Sequence, residues 1–297
     1  MTQGKKPKLK RCWNHCSSCF PLVTVGRGGQ LPRPFFMRVA LGIEYEGSRF
    51  CGWQTQPGGC GVQDALQTAL GEIAGEPVNT ICAGRTDTGV HATAQVVHFD
   101  CHAERPDTAW VRGTNALLPA SIAVTWAKRV ATEFSARFSA TARSYRYMLL
   151  NHPVRAALDQ GRVGWYHAPL DITRMRAAAA LLTGEHDFSA FRSSACQAKS
   201  PVRRLTRLDI LEAPPYVYFD FCANGFLHHM VRNIVGSLIY VGSGRHEPAW
   251  ISTLLAAHDR ALSAPTFEAA GLYLVGVDYD ARWGLPQGAR LPPGLKS

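Results

Sequence analysis

The chain has 297 residues, 46% of them hydrophobic and 18% charged, a balance that describes a folded protein and excludes a disordered one. No uninterrupted apolar run approaches the roughly 20 residues of a membrane span, and the basic N-terminus lacks the apolar core of a secretory leader. The formal charge of +10 is uneven: residues 1–35 hold seven Lys and Arg and no acid, leaving 25 basic against 22 acidic residues, so local clusters must carry any nucleic-acid argument.

Residues 1–35, rich in Lys, Pro, Gly and Ser, show no hydrophobic periodicity and read as an appended, disordered basic extension, with Met37 a candidate start of translation. Cys12, His15, Cys16 and Cys19 lie close together there. Zinc sites draw on two separated ligand pairs and nothing nearby completes one, so no metal is expected. The nine cysteines are odd in number and scattered, several in apolar runs where a thiol behaves as a small hydrophobe. A reducing cytoplasm without a disulfide framework is the expectation.

Residues 36–45 form a strand signal, and residues 49–60 a Gly-rich loop with Trp53, Gln54 and Gln56 exposed for contacts. From Val62 the apolar residues keep helical spacing through Ile73. Residues 78–82 are a strand, 107–117 a helix with Pro106 near its start, and 122–130 and 144–150 alternate as strands. The pattern then begins again. Residues 172–182 are helical, 186–197 an aromatic-bearing loop, 202–211 and 216–223 a hairpin around Pro214-Pro215, 226–241 and 248–257 helices, and 271–279 a last strand. The class expected is α+β: two similar mixed α/β halves, residues 36–150 and 151–297, with mostly antiparallel sheets joined side by side, helices on one face and an active-site cleft between the halves.

The stretch from residue 81 to 100, ICAGRTDTGVHATAQVVHFD, puts a polar turn between two apolar segments. Asp87 is the only carboxylate between Glu76 and Asp100. In extended backbone Arg85 and Asp87 project to one side, where both would face a cleft. Two readings stand: a nucleophile or base presented on a rigid turn, or an Asp capping its own turn through the N–H of Gly89. Residues 128–146 carry Lys128, Arg129, Arg137, Arg143 and Arg146 interleaved with Phe134, Phe138 and Tyr145, and residues 192–207 carry Arg192, Lys199, Arg203, Arg204 and Arg207 without an acid. Arginine for phosphates with aromatic rings for unstacked bases is the combination that flipped-out or single-stranded nucleotides need. His228, His229 and Arg232 lie off the apolar stripe of their helix, and Arg232 could pair with a carboxylate in the cleft. His91 and His98 have plain strand readings and are not expected to bind metal.

An aspartic protease would need a second Asp-Thr-Gly, and no other Asp here precedes Ser/Thr-Gly. A non-catalytic RNA-binding module would leave Asp87 beside Arg85 unused. The residues themselves resemble a known family: AGRTDTGVHATAQVVHF is similar to the active-site motif of the tRNA pseudouridine synthase A family. LGIEYEGSRFCGWQ, FSARFSATARSYRY, FLHHMVRNIVGSLIYVG and GLYLVGVDY look like family motifs in the family's order. The resemblance spans residues 36–279 and implies a catalytic Asp87, Arg85 replacing the flipped base in the stack, Tyr145 stacking on uracil, Arg232 pairing with Asp87, and Leu272 walling the pocket. Arg105, Phe134, Arg137, Phe138, Ala195 and Lys199 would meet the tRNA backbone. It also implies uridine-to-pseudouridine isomerisation at positions 38, 39 and 40 of the anticodon stem-loop, a homodimer, and no cofactor or metal.

Overall fold

The structure, a computed structural model, describes residues 36–286 and 288; the readings made for the extension and its Cys12–His15–Cys16–Cys19 cluster fall outside these residues. Apolar alternation sets the strands: β1 (Met37–Tyr45), β2 (Ile81–Cys82), β3 (His91–Cys101), β4 (Ile122–Val130), β5 (Ala140–Asn151), β6 (Gly164–Tyr166), β7 (Gly184–Asp187), β8 (Val202–Ala213), β9 (Tyr216–Ala223) and β10 (Leu272–Tyr279). The helices are α1 (Val62–Ala74), α2 (Thr114–Leu117) entered through a π-turn at Ala109–Gly113, α3 (Ile172–Ala180), α4 (Met230–Gly242) and α5 (Trp250–Ala257). This is the expected α+β class, with an open, mixed sheet in the order β4-β1-β3-β10-β5-β9-β8-β7.

Within that order, β4-β1-β3-β2 and β10-β5-β9-β8 repeat one arrangement, strand, helix, two strands, helix, strand in chain order, to which the second half adds β6, β7 and α5. β5 is hydrogen-bonded to β9 on one side and β10 on the other, so pairing places it with the C-terminal strands. The last strand returns to the middle of the sheet. β3 pairs with β1 along its length, while its other edge is shared: β10 takes His91 and Ala92, and β2 takes Val97 and His98. Between those two partners the edge is open, and the segment 83–90 fills the gap.

Alternation explains the layers. Val39, Leu41 and Ile43 of β1 turn to the helical face, where they join Leu66 and Leu70 of α1, and Ile234 and Leu238 of α4 fill the same core further along. Fully burying each such side chain contributes roughly 1.5–3 kcal/mol. Ala40 and Val96 turn to the opposite face, which Phe134, Ala136 and Leu285 cover. Phe134, expected at the RNA, is therefore 0% exposed, packed against Tyr279 and Trp283, and has no ring to offer a base. Trp53 is likewise buried, at 1%, rather than displayed on its loop. Cys51 and Cys60 are joined as a disulfide, against the expectation of none; they are near neighbours at the two ends of that loop.

Candidate active site

Strands β3 and β1 and the Gly-rich loop hold the segment 83–90. The backbone N–H of Ala83 donates to Val96 O at 2.8 Å, prolonging the β2 ladder. The Gln95 amide donates to Gly84 O at 2.6 Å, and the Tyr45 hydroxyl lies 2.7 Å from Thr86 Oγ1. From the Gly-rich loop, Trp53 N–H donates to Thr86 O at 3.0 Å. Gly52 sits at φ +93 against this segment, where a Cβ would stand 2.9 Å from Thr86 O. The turn closes through backbone alone, Val90 N–H donating to Asp87 O at 3.1 Å, with Gly89 at φ +79 supplying the left-handed third position. The turn thus leaves the Asp87 carboxylate available to face the cleft.

What it faces comes from the other half. The helix expected from residue 226 begins instead at Met230, because His229 adopts φ 64, and the residues before it cross the cleft as irregular backbone. Arg232, in the first turn of α4, donates from Nη1 to Asp87 Oδ2 at 3.2 Å and from Nε to Phe267 O at 2.8 Å. His228 Nε2 lies 3.2 Å from Oδ1 and His229 Nε2 3.4 Å from Oδ2. Arg232 was legible in the sequence as a partner for the acid. The two histidines were noted as off the apolar stripe, but nothing local showed that a left-handed residue aims both at Asp87.

Tyr145 of β5 stands beside them, nearly buried, with the Phe226 ring edge-on at a centroid distance of 5.0 Å. Burial, and after it the Asp87 carboxylate, push its phenol well above the ordinary range. Leu272, at the start of β10, lines the same cleft, which has a volume of about 1220 Å³. Arg85 lines it from an exposed position. At the mouth Phe138 is 81% exposed, with the Arg137 guanidinium 5.3 Å from its ring centroid, a stacked cation and ring presented outward. Ala195 is on the lining; Lys199 is exposed just beyond it, and Arg105 is off the lining, its Nε donating to Ile73 O at 3.3 Å. Arg143, one of the basic cluster of residues 128–146, donates to Ala83 O and Arg137 O, tying the segment that carries Asp87 to the mouth.

Among the described residues lining the cleft Asp87 is the single carboxylate, so one chain does not bring together the pair an acid protease needs. Asp87, His228 and His229 bring ligand-type atoms within 4.8 Å of one another, but the Arg232 guanidinium already occupies Oδ2 and repels a cation there. The arrangement is a carboxylate hydrogen-bonded by one guanidinium, with two imidazole nitrogens 3.2 and 3.4 Å away. His91 and His98 serve the frame: His91 accepts the Gly47 N–H at Nδ1 and places Nε2 2.9 Å from Gly161 O and 3.0 Å from Ala270 O, while His98 Nδ1 accepts the Ala136 N–H. The set can present one carboxylate to a sugar beside a ring on which a base stacks.

Known proteins match this chain over the same elements. The family model described as tRNA pseudouridine synthase matches residues 42–139 and 178–280. The tRNA pseudouridine synthase A of Dechloromonas aromatica is 59% identical over 250 residues, covering 84% of this chain and 95% of the relative. That of Chromobacterium violaceum is 61% identical over 251 residues, 84% and 96% of the two chains, and that of Thiobacillus denitrificans 56% identical over 257 residues, 86% and 99%.

Proposed function

The chain belongs to the tRNA pseudouridine synthase family, and on that footing we propose that it isomerises uridine to pseudouridine in tRNA, at positions 38, 39 and 40 of the anticodon stem-loop, without a cofactor. The observation that carries the reading is Asp87, fixed on a rigid turn, bonded by Arg232 across the cleft and flanked by the ring of Tyr145.

The reaction breaks the N1–C1′ bond, turns the uracil and rejoins it through C5. No atom leaves and nothing is oxidised, so one carboxylate suffices to begin it, by attack on the sugar or removal of a sugar proton. Arg232, itself held by the Phe267 carbonyl, fixes that carboxylate's orientation before the substrate arrives. The uridine first leaves its stack, at roughly a few kcal/mol. Arg85 takes the vacated place, and Tyr145, backed by Phe226, stacks on the base for about 1–3 kcal/mol in return. Leu272 closes the apolar side of the pocket, and the Arg137–Phe138 pair receives RNA at the mouth. Action in the cytoplasm and as a homodimer belongs to the same reading, supported by the resemblance along residues 36–279.

The test is incubation with unmodified tRNA transcripts followed by pseudouridine mapping, with Asp87→Asn in parallel. Product at 38–40 from the wild type alone, with RNA binding kept in the variant, is expected. No product from the wild type would overturn the proposal, and product elsewhere in the tRNA would overturn the positions.

A further inference from the structure

The isomerisation proposed above, on which this inference rests, leaves one proton to be moved. Once C5 has bonded to C1′, that carbon still carries its hydrogen and the ring holds an N1=C6 double bond. Completion turns the C5–H pair into C5=C6 and moves the N1=C6 pair onto N1. A base takes the proton from C5, and N1 receives one. Electrons and atoms balance with no further reactant.

The cleft offers few groups for this task. A carboxylate bonded by Arg232, as Asp87 is, is a weaker base than an imidazole, and guanidinium groups do not release protons in proteins. The Tyr145 phenol, pushed up by burial, keeps its proton. Cys196, whose sulfur accepts the backbone N–H of His228 at 3.5 Å, is not among the side chains that contact Asp87. Two imidazoles remain, and imidazole exchanges protons near neutrality. His229 shares Oδ2 with Arg232, and burial pushes it down, opposed by the Asp87 carboxylate and reinforced by His228, Arg232 and Arg260. His228 takes the other oxygen, Oδ1, and its side chain is 38% exposed on the cleft. With its Nε2 lying 3.2 Å from Asp87 Oδ1, the nitrogen left for a base is Nδ1, which has no hydrogen-bond partner shown among the described residues. A carboxylate on one ring nitrogen with the other left open is the arrangement in which an acid orients an imidazole and stabilises its protonated form.

We propose that His228 is the base that completes the isomerisation, its Nδ1 taking the C5 proton and returning it, directly or through water, to N1. Asp87, free again once the sugar is rejoined, stabilises the imidazolium in the interval.

The full chain is assayed in single turnover on three tRNA transcripts whose uridines are ordinary, deuterated at C5, or fluorinated at C5. Fluorine blocks the last step, because it cannot leave as a cation, yet permits cleavage and rejoining. His228→Gln is expected to slow the ordinary transcript about a hundredfold. It should also enlarge the deuterium isotope effect over the wild type, while tRNA affinity and rearrangement of the fluorinated transcript stay near wild-type values. His228→Ala, checked for folding by its melting curve, is expected to regain rate on adding imidazole to the buffer. Unchanged turnover in both variants would overturn the assignment. So would an equal slowing of the fluorinated transcript without an isotope effect, which would leave His228 only orienting Asp87. A wild type that makes no pseudouridine at all is a different result, and sinks the proposed function instead.

Discussion

Arg232 holds Asp87 and Phe267 at once: Nη1 is 3.2 Å from the carboxylate Oδ2 and Nε 2.8 Å from the Phe267 carbonyl. Only a planar, forked head group spans both, and lysine has a single point of charge. Arg232→Lys is expected to lower the rate of the chemical step about 10²–10³-fold, comparable to losing a fixed electrostatic partner in other enzymes. Affinity for tRNA, measured by filter binding, should hardly change. A parallel loss of affinity would make Arg232 an RNA contact instead.

Tyr145 packs against Phe226 on one edge, leaving the ring for a base. Tyr145→Phe is expected to keep most activity, and Tyr145→Ala to lose about 10–100-fold, the equivalent of the 1–3 kcal/mol of one stacked base. Single-turnover rates decide this, with melting curves to separate the loss from any cavity left beside Phe226. Wild-type turnover in the alanine variant would remove the stacking role.

Gly52 and Gly58 offer a matched comparison. Both have positive φ, +93 and +101, but a Cβ on Gly52 would stand 2.9 Å from Thr86 O and 3.2 Å from the Asp87 carbonyl carbon, whereas one on Gly58 meets nothing within 4 Å. Alanine at either position costs about 1 kcal/mol or more of backbone strain. Only Gly52→Ala should also lower the catalytic rate, by displacing the turn that carries Asp87. If both variants lose activity equally, strain in the loop and not contact with the turn is responsible.

His98 gives a pH dependence. Burial, then the charge of Arg38, push its imidazole down to about 4, and protonation would also set a second donor against the Ala136 N–H that Nδ1 now accepts. The unfolded chain takes up this proton near pH 6.5, the folded one only near 4, so the contribution is present above about 6.5, declines as pH falls and is gone below about 4. The loss is on the order of 3 kcal/mol. Denaturant unfolding across that window measures it, and His98→Gln should flatten the slope. A wild-type slope unchanged by the substitution would count against it.

Much of this molecule is legible locally. β4 follows from alternation, β9 from its place in a hairpin around Pro214-Pro215, and α1 from helical spacing. Asp87 stands out for the same local reason, an acid on a Gly-bearing turn between apolar segments. What escapes the sequence is decided by distant packing. Phe134 reads as an RNA contact among arginines, yet Tyr279 and Trp283 from the far end of the chain enclose it. The 226–241 stripe continues through Phe226, so nothing signals that His229 breaks the helix and aims both histidines at the acid. Counting nine scattered cysteines hides that two of them close one short loop. The short strands β6 and β7 carry too few residues to show a period.

The acid and its guanidinium are 145 residues apart in the chain, the first on the open edge of β3 and the second on α4, one of the two helices that precede the strand returning to that edge. A closure that long is entropically unfavourable and is met late when a chain collects its contacts. Catalytic power in this protein is therefore a reporter of complete assembly. A half-docked intermediate would contain every helix and nearly every strand, give a native-like far-ultraviolet spectrum, and modify nothing.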